Sequence, residues 1–253
     1  MYGVMAVSIN GTVRGMGVRA NPAFTVGAVV IPIAALGYAV LFGTVQQHTY
    51  VHVMAGVLWT GIDLFMAIIL GPVLGGLAIE ERSSVFQRFT PKMTFLMPTL
   101  ALVTIFGGIT LAQRLGVFPH SEPWIALFST VAVLPSLLLI GWQFHAFRDR
   151  RWQGVFGVAV IGHGVYLAMT LPGFALTSTP MMVTLAIVTV LTVLGFGVLM
   201  PSEARIYLEM VSDDPDPEVI SRFGLRNARL SGVQGVFQLA IIVVMVYIRW
   251  GGF

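Results

Sequence analysis

The sequence predicts an all-α, polytopic integral membrane protein with seven transmembrane helices. Three observations carry that expectation. The first is composition: 57% of the 253 residues are apolar and 10% are charged, against about 25% charged in soluble domains. The second is length, because the apolar residues fall into seven stretches of roughly twenty or more. A helix needs ~20 residues to cross a ~30 Å hydrocarbon core. The third is the distribution of basic residues, which alternates from one connecting segment to the next. Mean hydropathy is +0.88 and the isoelectric point is near 9.6. The basic residues are scattered over connections rather than gathered on one face, so the charge reads as a topology signal and not as a nucleic-acid surface.

Residues 1–23 form a mixed N-terminal segment, carrying Arg14 and Arg19 ahead of Asn21-Pro22. The charges come too late for a cleaved secretory signal, so the segment reads as retained, cytoplasmic and interfacial. Gly3, Gly11, Gly15 and Gly17 weaken it as a helix. One domain of seven spans then fills 24–253: 24–45, 50–77, 93–113, 123–146, 154–174, 181–202 and 228–248. They are read by length, since near-continuous apolarity leaves no 3.6-residue period to follow. Pro32, Pro98 and Pro135 lie inside spans, where neighbouring helices can satisfy the freed carbonyls, and kinks are expected there.

Twelve of the fourteen basic residues lie in the N-terminal segment and in the connections 2–3, 4–5 and 6–7; only Arg114 and Arg249 lie on the other side. The positive-inside rule then puts the N-terminus in the cytoplasm and the C-terminus outside. Trp124 and Trp250 fall at outer helix ends, and Trp142 and Trp152 near inner ends. Connections 2–3 and 6–7 read as two long cytoplasmic loops, Glu80 to Lys92 and Ser212 to Arg226. Shifted by 134 residues, Gly61, Val85, Arg88 and Phe89 fall on Gly195, Val219, Arg222 and Phe223. The shift suggests two parallel three-helix repeats joined by helix 4.

Candidate chemistry starts on the second span. His52, Trp59 and Gly61 follow the spacing His-x6-Trp-x-Gly, which puts Trp59 two turns from His52 on the same face. A neutral imidazole there suits an axial ligand of haem iron or a copper ligand. Asp63 lies near the middle of that span, and His163 lies at similar depth on the fifth, between Gly162 and Gly164. A carboxylate in hydrocarbon costs a few kcal/mol or more, so such groups face protein or water and mark function. Asp63 and His163 are expected to hydrogen-bond and to pass protons, with Gly162 and Gly164 admitting a helix or a flat ring; a neutral packing pair is the alternative. His48, His52 and His120 lie towards the outer side with Met54, Met181 and Met182, a set of soft and imidazole donors that Cu(I) favours. On the inner side Gln143, His145, Glu203, Arg205, Arg226, Arg229 and Gln234 come at helix ends. They read as interface anchors, with lipid headgroups as the second account.

Cysteine is absent, which excludes disulfides, thiolate metal sites and cysteine nucleophiles. Walker loops, Gly-x-Ser-x-Gly elbows and His-Glu-x-x-His motifs are absent too.

The order His52-x6-Trp59-x-Gly61, Gly71-Pro72, Arg88-Phe89-x-Pro91 and Gly107-Gly108 resembles the CopD-like and HemJ-like superfamily of prokaryotic polytopic membrane proteins. The resemblance covers residues 48–113. It implies a haem or metal ligand at His52. Three functions are therefore expected, and they stay open here. The first is a b-type haem protein of electron transfer, tied to a respiratory or quinone system, with His52 and His163 as axial ligands and Trp59 beside the cofactor. The second is a transporter of copper or another small solute. The third is a non-catalytic subunit of a larger membrane complex. The lipid bilayer is the one partner common to all three.

Overall fold

The computed structural model describes residues 9–251. Residues 1–8, including Gly3 of the N-terminal segment, lie outside the described residues. Eight helices account for nearly all the rest: α1 (Ile9–Ala20), α2 (Pro22–Leu41), α3 (Val45–Gly75), α4 (Ile79–Arg114), α5 (Ser121–Gln143), α6 (Arg150–Gly173), α7 (Thr179–Met210) and α8 (Pro217–Trp250). The last seven are each long and apolar enough to cross a membrane. The all-α, seven-span architecture expected from the sequence is the architecture found.

The helices begin where side chains can cap them. Thr44 closes a capping box with Gln47: its hydroxyl accepts from the Gln47 amide at 3.2 Å, and its own amide donates to Gln47 Oε1 at 2.8 Å. Ser178 accepts from the Met181 amide at the start of α7. Asn21 and Asp149 cap α2 and α6 in the same way. Each cap satisfies an amide that the first turn leaves without an intrahelical partner. Thr44 and Ser178 are themselves 134 residues apart, so the spacing that relates Gly61 to Gly195 also relates two helix starts. Both helices that follow, α3 and α7, contain a π turn, over Met66–Leu70 and Gly195–Leu199.

The two connections read as long cytoplasmic loops are mostly helix. Helix α4 starts at Ile79 and α8 at Pro217, leaving only 76–78 and 211–216 as turns. Charge at helix starts misled the reading: Glu80 and Glu81 in the first turn of α4, and Glu218 in that of α8, complement the helix dipole rather than marking a loop. Pro91 and Pro98 both lie within α4, and Pro32 and Pro135 within α2 and α5.

The chain forms two compact units. Among the described residues, the first holds 9–104 and 202–232, the second 105–201 and 233–251. In the first, Leu74, Phe86, Ile206, Met210 and Ile220 form a buried apolar cluster drawn from α3, α4, α7 and α8. Phe86 packs on Gly224, whose missing Cβ makes room for the ring. Helix α1 also packs here. Met16 and Ala20 are buried, and Gly15 lies directly under the Tyr207 hydroxyl, so the glycine that weakens α1 as a helix also lets it dock.

In the second unit α5 packs against α6 and α7. Trp152 lies over Gly141, stacked on Phe156 and edge-on to Phe147, with ring centres 5.1 Å apart in both cases. Gly197, in the π turn of α7, meets Ser136 of α5 so closely that an added Cβ would lie 3.0 Å from its Cα. The Gln143 side chain donates to the Gly197 carbonyl at 2.7 Å. A π turn loosens the regular ladder, and a side-chain donor takes up a carbonyl there.

Candidate functional site

Helix α3 turns one polar face inward. His48, Ala55, Trp59, Thr60, Asp63, Met66 and Leu74 are its buried residues; apart from Thr60, beside Trp59, they are spaced by about one turn or two, which traces one side of a helix. Against this stripe, Gly61 is exposed. Asp63 has no exposed surface at all and His48 only 1%.

His52 stands one turn from His48 on that face. Its Nδ1 lies 2.9 Å from the Thr104 carbonyl oxygen of α4. A carbonyl can only accept, so Nδ1 carries the proton and Nε2 keeps its lone pair. His163, on α6 in the second unit, is fixed in the same manner: its Nδ1 donates to the Ala159 carbonyl one turn back, at 2.7 Å. Gly162 and Gly164 are exposed, and a Cβ on either would meet nothing within 4 Å. His120 is exposed, in a left-handed conformation just before α5. Among the described residues, no group of three or more His, Cys, Asp or Glu side chains is placed to hold a metal ion.

The densest polar chemistry is in the first unit, where α3, α4, α7 and α8 contribute. Thr94 of α4 stands between two oxygens, the Thr90 carbonyl at 3.0 Å and Glu203 Oε2 at 2.9 Å. Its hydroxyl has one proton for these two acceptors. When Glu203 carries a proton, Glu203 can donate to Thr94 while Thr94 donates to Thr90; when it does not, Thr94 turns its own proton to the carboxylate. Asp63, fully buried on α3, belongs to the same unit. Next to Glu203, the fully buried Ser202 accepts from Arg226 of α8 at 2.9 Å. Asn227 is buried with its side-chain oxygen lacking a hydrogen-bond partner, a costly arrangement unless water or a ligand supplies a donor. Each carboxyl also lies within about one turn of a π segment of its own helix, Asp63 just before Met66–Leu70 and Glu203 just after Gly195–Leu199.

Glu203 is the residue that the sequence alone undervalued. Read by distance from a helix end it is an anchor. Helix α7 in fact runs on to Met210, and that extension takes the carboxyl away from the end and against α4. The available signal was Thr94, a hydroxyl well inside an apolar helix.

No family model, no curated protein and no solved structure matches the chain.

Proposed function

We propose that this integral membrane protein moves protons, or another monovalent cation, across the bilayer through the Asp63–Thr94–Glu203 group. One observation carries the reading: the Thr94 hydroxyl of α4 lies 2.9 Å from the Glu203 carboxyl of α7, in the same unit as Asp63 of α3, a second carboxyl with no exposed surface. Acidic groups inside a membrane bundle are expensive and persist where a path needs them. One proton removes the like-charge repulsion within such a pair and a monovalent cation can neutralise the carboxylate that remains, whereas a dedicated divalent site asks for more oxygen ligands than two side chains supply. The Thr94 hydroxyl, able to turn between Thr90 and Glu203, accommodates the carboxyl with and without its proton. Towards the other end of α3, His48 and His52 extend the polar face.

Purified protein in liposomes, with a pH-sensitive dye inside and a potassium diffusion potential imposed, tests this directly. Wild-type protein is expected to pass protons or sodium above the leak of empty vesicles. Asp63→Asn and Glu203→Gln should each reduce that flux about ten-fold or more, equivalent to at least ~1.4 kcal/mol on the barrier. Thr94→Ser, which keeps the hydroxyl, should retain it. Vesicles no leakier than empty ones, in both cation series, would sink the proposal.

A second reading, a b-type haem site at His52, is favoured by a separate observation. Both His52 and His163 have Nδ1 engaged by a backbone carbonyl, the arrangement that orients a ligating imidazole and leaves Nε2 for iron. The resemblance to CopD-like and HemJ-like proteins points to the same residue. As a cradle the fit is incomplete: the open groove of about 480 Å³ between α2 and α3 is lined by Ala35, Tyr38, Ala39, Gln46, Gln47, Tyr50 and Val51, without His52. Expression with haem supplied, followed by an absorption spectrum, separates the readings. A Soret band lost in His52→Ala supports haem, and a colourless protein removes it.

A further inference from the structure

Three arginines surround one phenylalanine in the first unit. The guanidinium carbons of Arg205, Arg226 and Arg222 lie 4.9, 5.1 and 5.7 Å from the centre of the Phe223 ring. Arg205 comes from α7; Arg222 and Arg226 are one turn apart on α8. We propose that these three side chains form a binding site for a phosphate group, of the kind an anionic lipid headgroup presents.

Like charges at such separations repel, and Arg205 and Arg226 are near enough to do so. An aromatic ring attracts a cation only weakly where water reaches, so Phe223 by itself does not offset three of them. Among the described residues none of the three forms an ion pair with a carboxylate, and the single hydrogen bond in the set runs from Arg226 to Ser202. Each guanidinium has five N–H donors in a rigid fork. Most are therefore free, and Arg222 and Arg226 are exposed. A phosphate oxygen pair matches that fork, and stacking on Phe223 holds the planes in place.

Position selects the source. Arg205 lies five residues before the end of α7 at Met210, and Arg226 nine after the start of α8 at Pro217, so the cluster is roughly 8–14 Å along each helix from the turn. With the turn in water, that depth is near the headgroup layer. The turn itself is acidic, with Asp213, Asp214 and Asp216 exposed and Glu218 just beyond. It repels a phosphate ion arriving from solution, whereas a lipid headgroup arrives sideways, within the bilayer. The inference is independent of the carboxyl pair, since none of the three arginines belongs to it.

The test uses the full chain in mild detergent, titrated with phosphatidylglycerol or with phosphatidylcholine and read by native mass spectrometry. Phosphatidylglycerol is expected to bind the more tightly. R205Q/R226Q should raise its dissociation constant about ten-fold or more, and R150Q/R151Q, with the same change in net charge, by less than about two-fold. Displacement of the lipid by millimolar inorganic phosphate would show that a soluble phosphate also uses the site; no displacement would confine it to lipid. Should R205Q/R226Q fail to fold, R205K/R226K keeps the charge and loses the fork, and a loss of about three-fold is expected. Equal affinity for the two lipids, or wild-type affinity in the arginine variants, would overturn the proposal.

Discussion

At the scale of single residues, glycines divide into those that admit a neighbour and those that do not, and only coordinates separate the two. Gly224 gives its space to the Phe86 ring, inside the cluster of Leu74, Ile206, Met210 and Ile220. A methyl group there collides with a packed ring rather than a flexible chain end, and overpacking of this sort costs about 1–3 kcal/mol. Gly162 and Gly164 face open space on a helix whose apolar window contains no buried residue. Alanine is the better helix former by roughly 0.5–1 kcal/mol. Thermal unfolding in detergent should therefore show Gly224→Ala clearly destabilised, with Gly162→Ala and Gly164→Ala unchanged or slightly more stable. A drop in melting temperature for the latter pair would mean that something outside this chain packs on α6.

At the scale of elements, the turn between α3 and α4 is held by one side chain. Arg82 Nε donates to the Leu74 carbonyl at 2.7 Å, and its Nη2 to the carbonyls of Leu77 and Gly75 at 2.7 and 3.1 Å. Its Nη1 donates to Ser221 of α8 at 3.1 Å. A helix leaves its last carbonyls without intrahelical donors, and a cation there also meets the negative end of the dipole. From the sequence Arg82 counted only as one more positive charge fixing topology; in the fold it also caps α3 and ties it to α8. Arg82→Ala is expected to destabilise the protein by about 1–3 kcal/mol, water replacing part of what is lost. Arg82→Lys should recover less than half, because an ammonium has no fork to span three carbonyls and a hydroxyl. The measurement is denaturant unfolding of the purified protein, followed by tryptophan fluorescence. Equal stability of wild type and Arg82→Ala would show that the cap is dispensable.

At the scale of the whole molecule, the alternation of basic residues makes a prediction that the lack of cysteine renders easy to check. Single cysteines at His120, Asp149 and Asp214 add the only thiols in the chain. All three positions are exposed and lie in or beside turns. In intact cells a membrane-impermeant maleimide should label His120→Cys and leave Asp149→Cys and Asp214→Cys unlabelled until the membrane is opened. The reverse pattern would invert the orientation that the arginines imply, and labelling of all three in intact cells would break the seven-span topology.

The sequence by itself determined the class of this protein and the number of its spans. Both follow from totals: apolar length measured against the thickness of a bilayer, and the cost of a charged residue within it. It also singled out Asp63, because a carboxyl in the middle of an apolar run is conspicuous without any neighbour in view. That His52 and Trp59 share a face was legible too, since helical spacing is a local property. What faces Glu203 was not legible. Composition ended α7 near residue 202, whereas the helix runs on to Met210 and carries Glu203 against Thr94, a pairing 109 residues apart in the chain. The same holds for Phe223, which the repeat spacing had marked without a role, and for the arginines that two helices bring around it. A local pattern fixes which side of a helix is polar, but its partner is chosen by packing between distant segments, and that packing exists only in the folded chain.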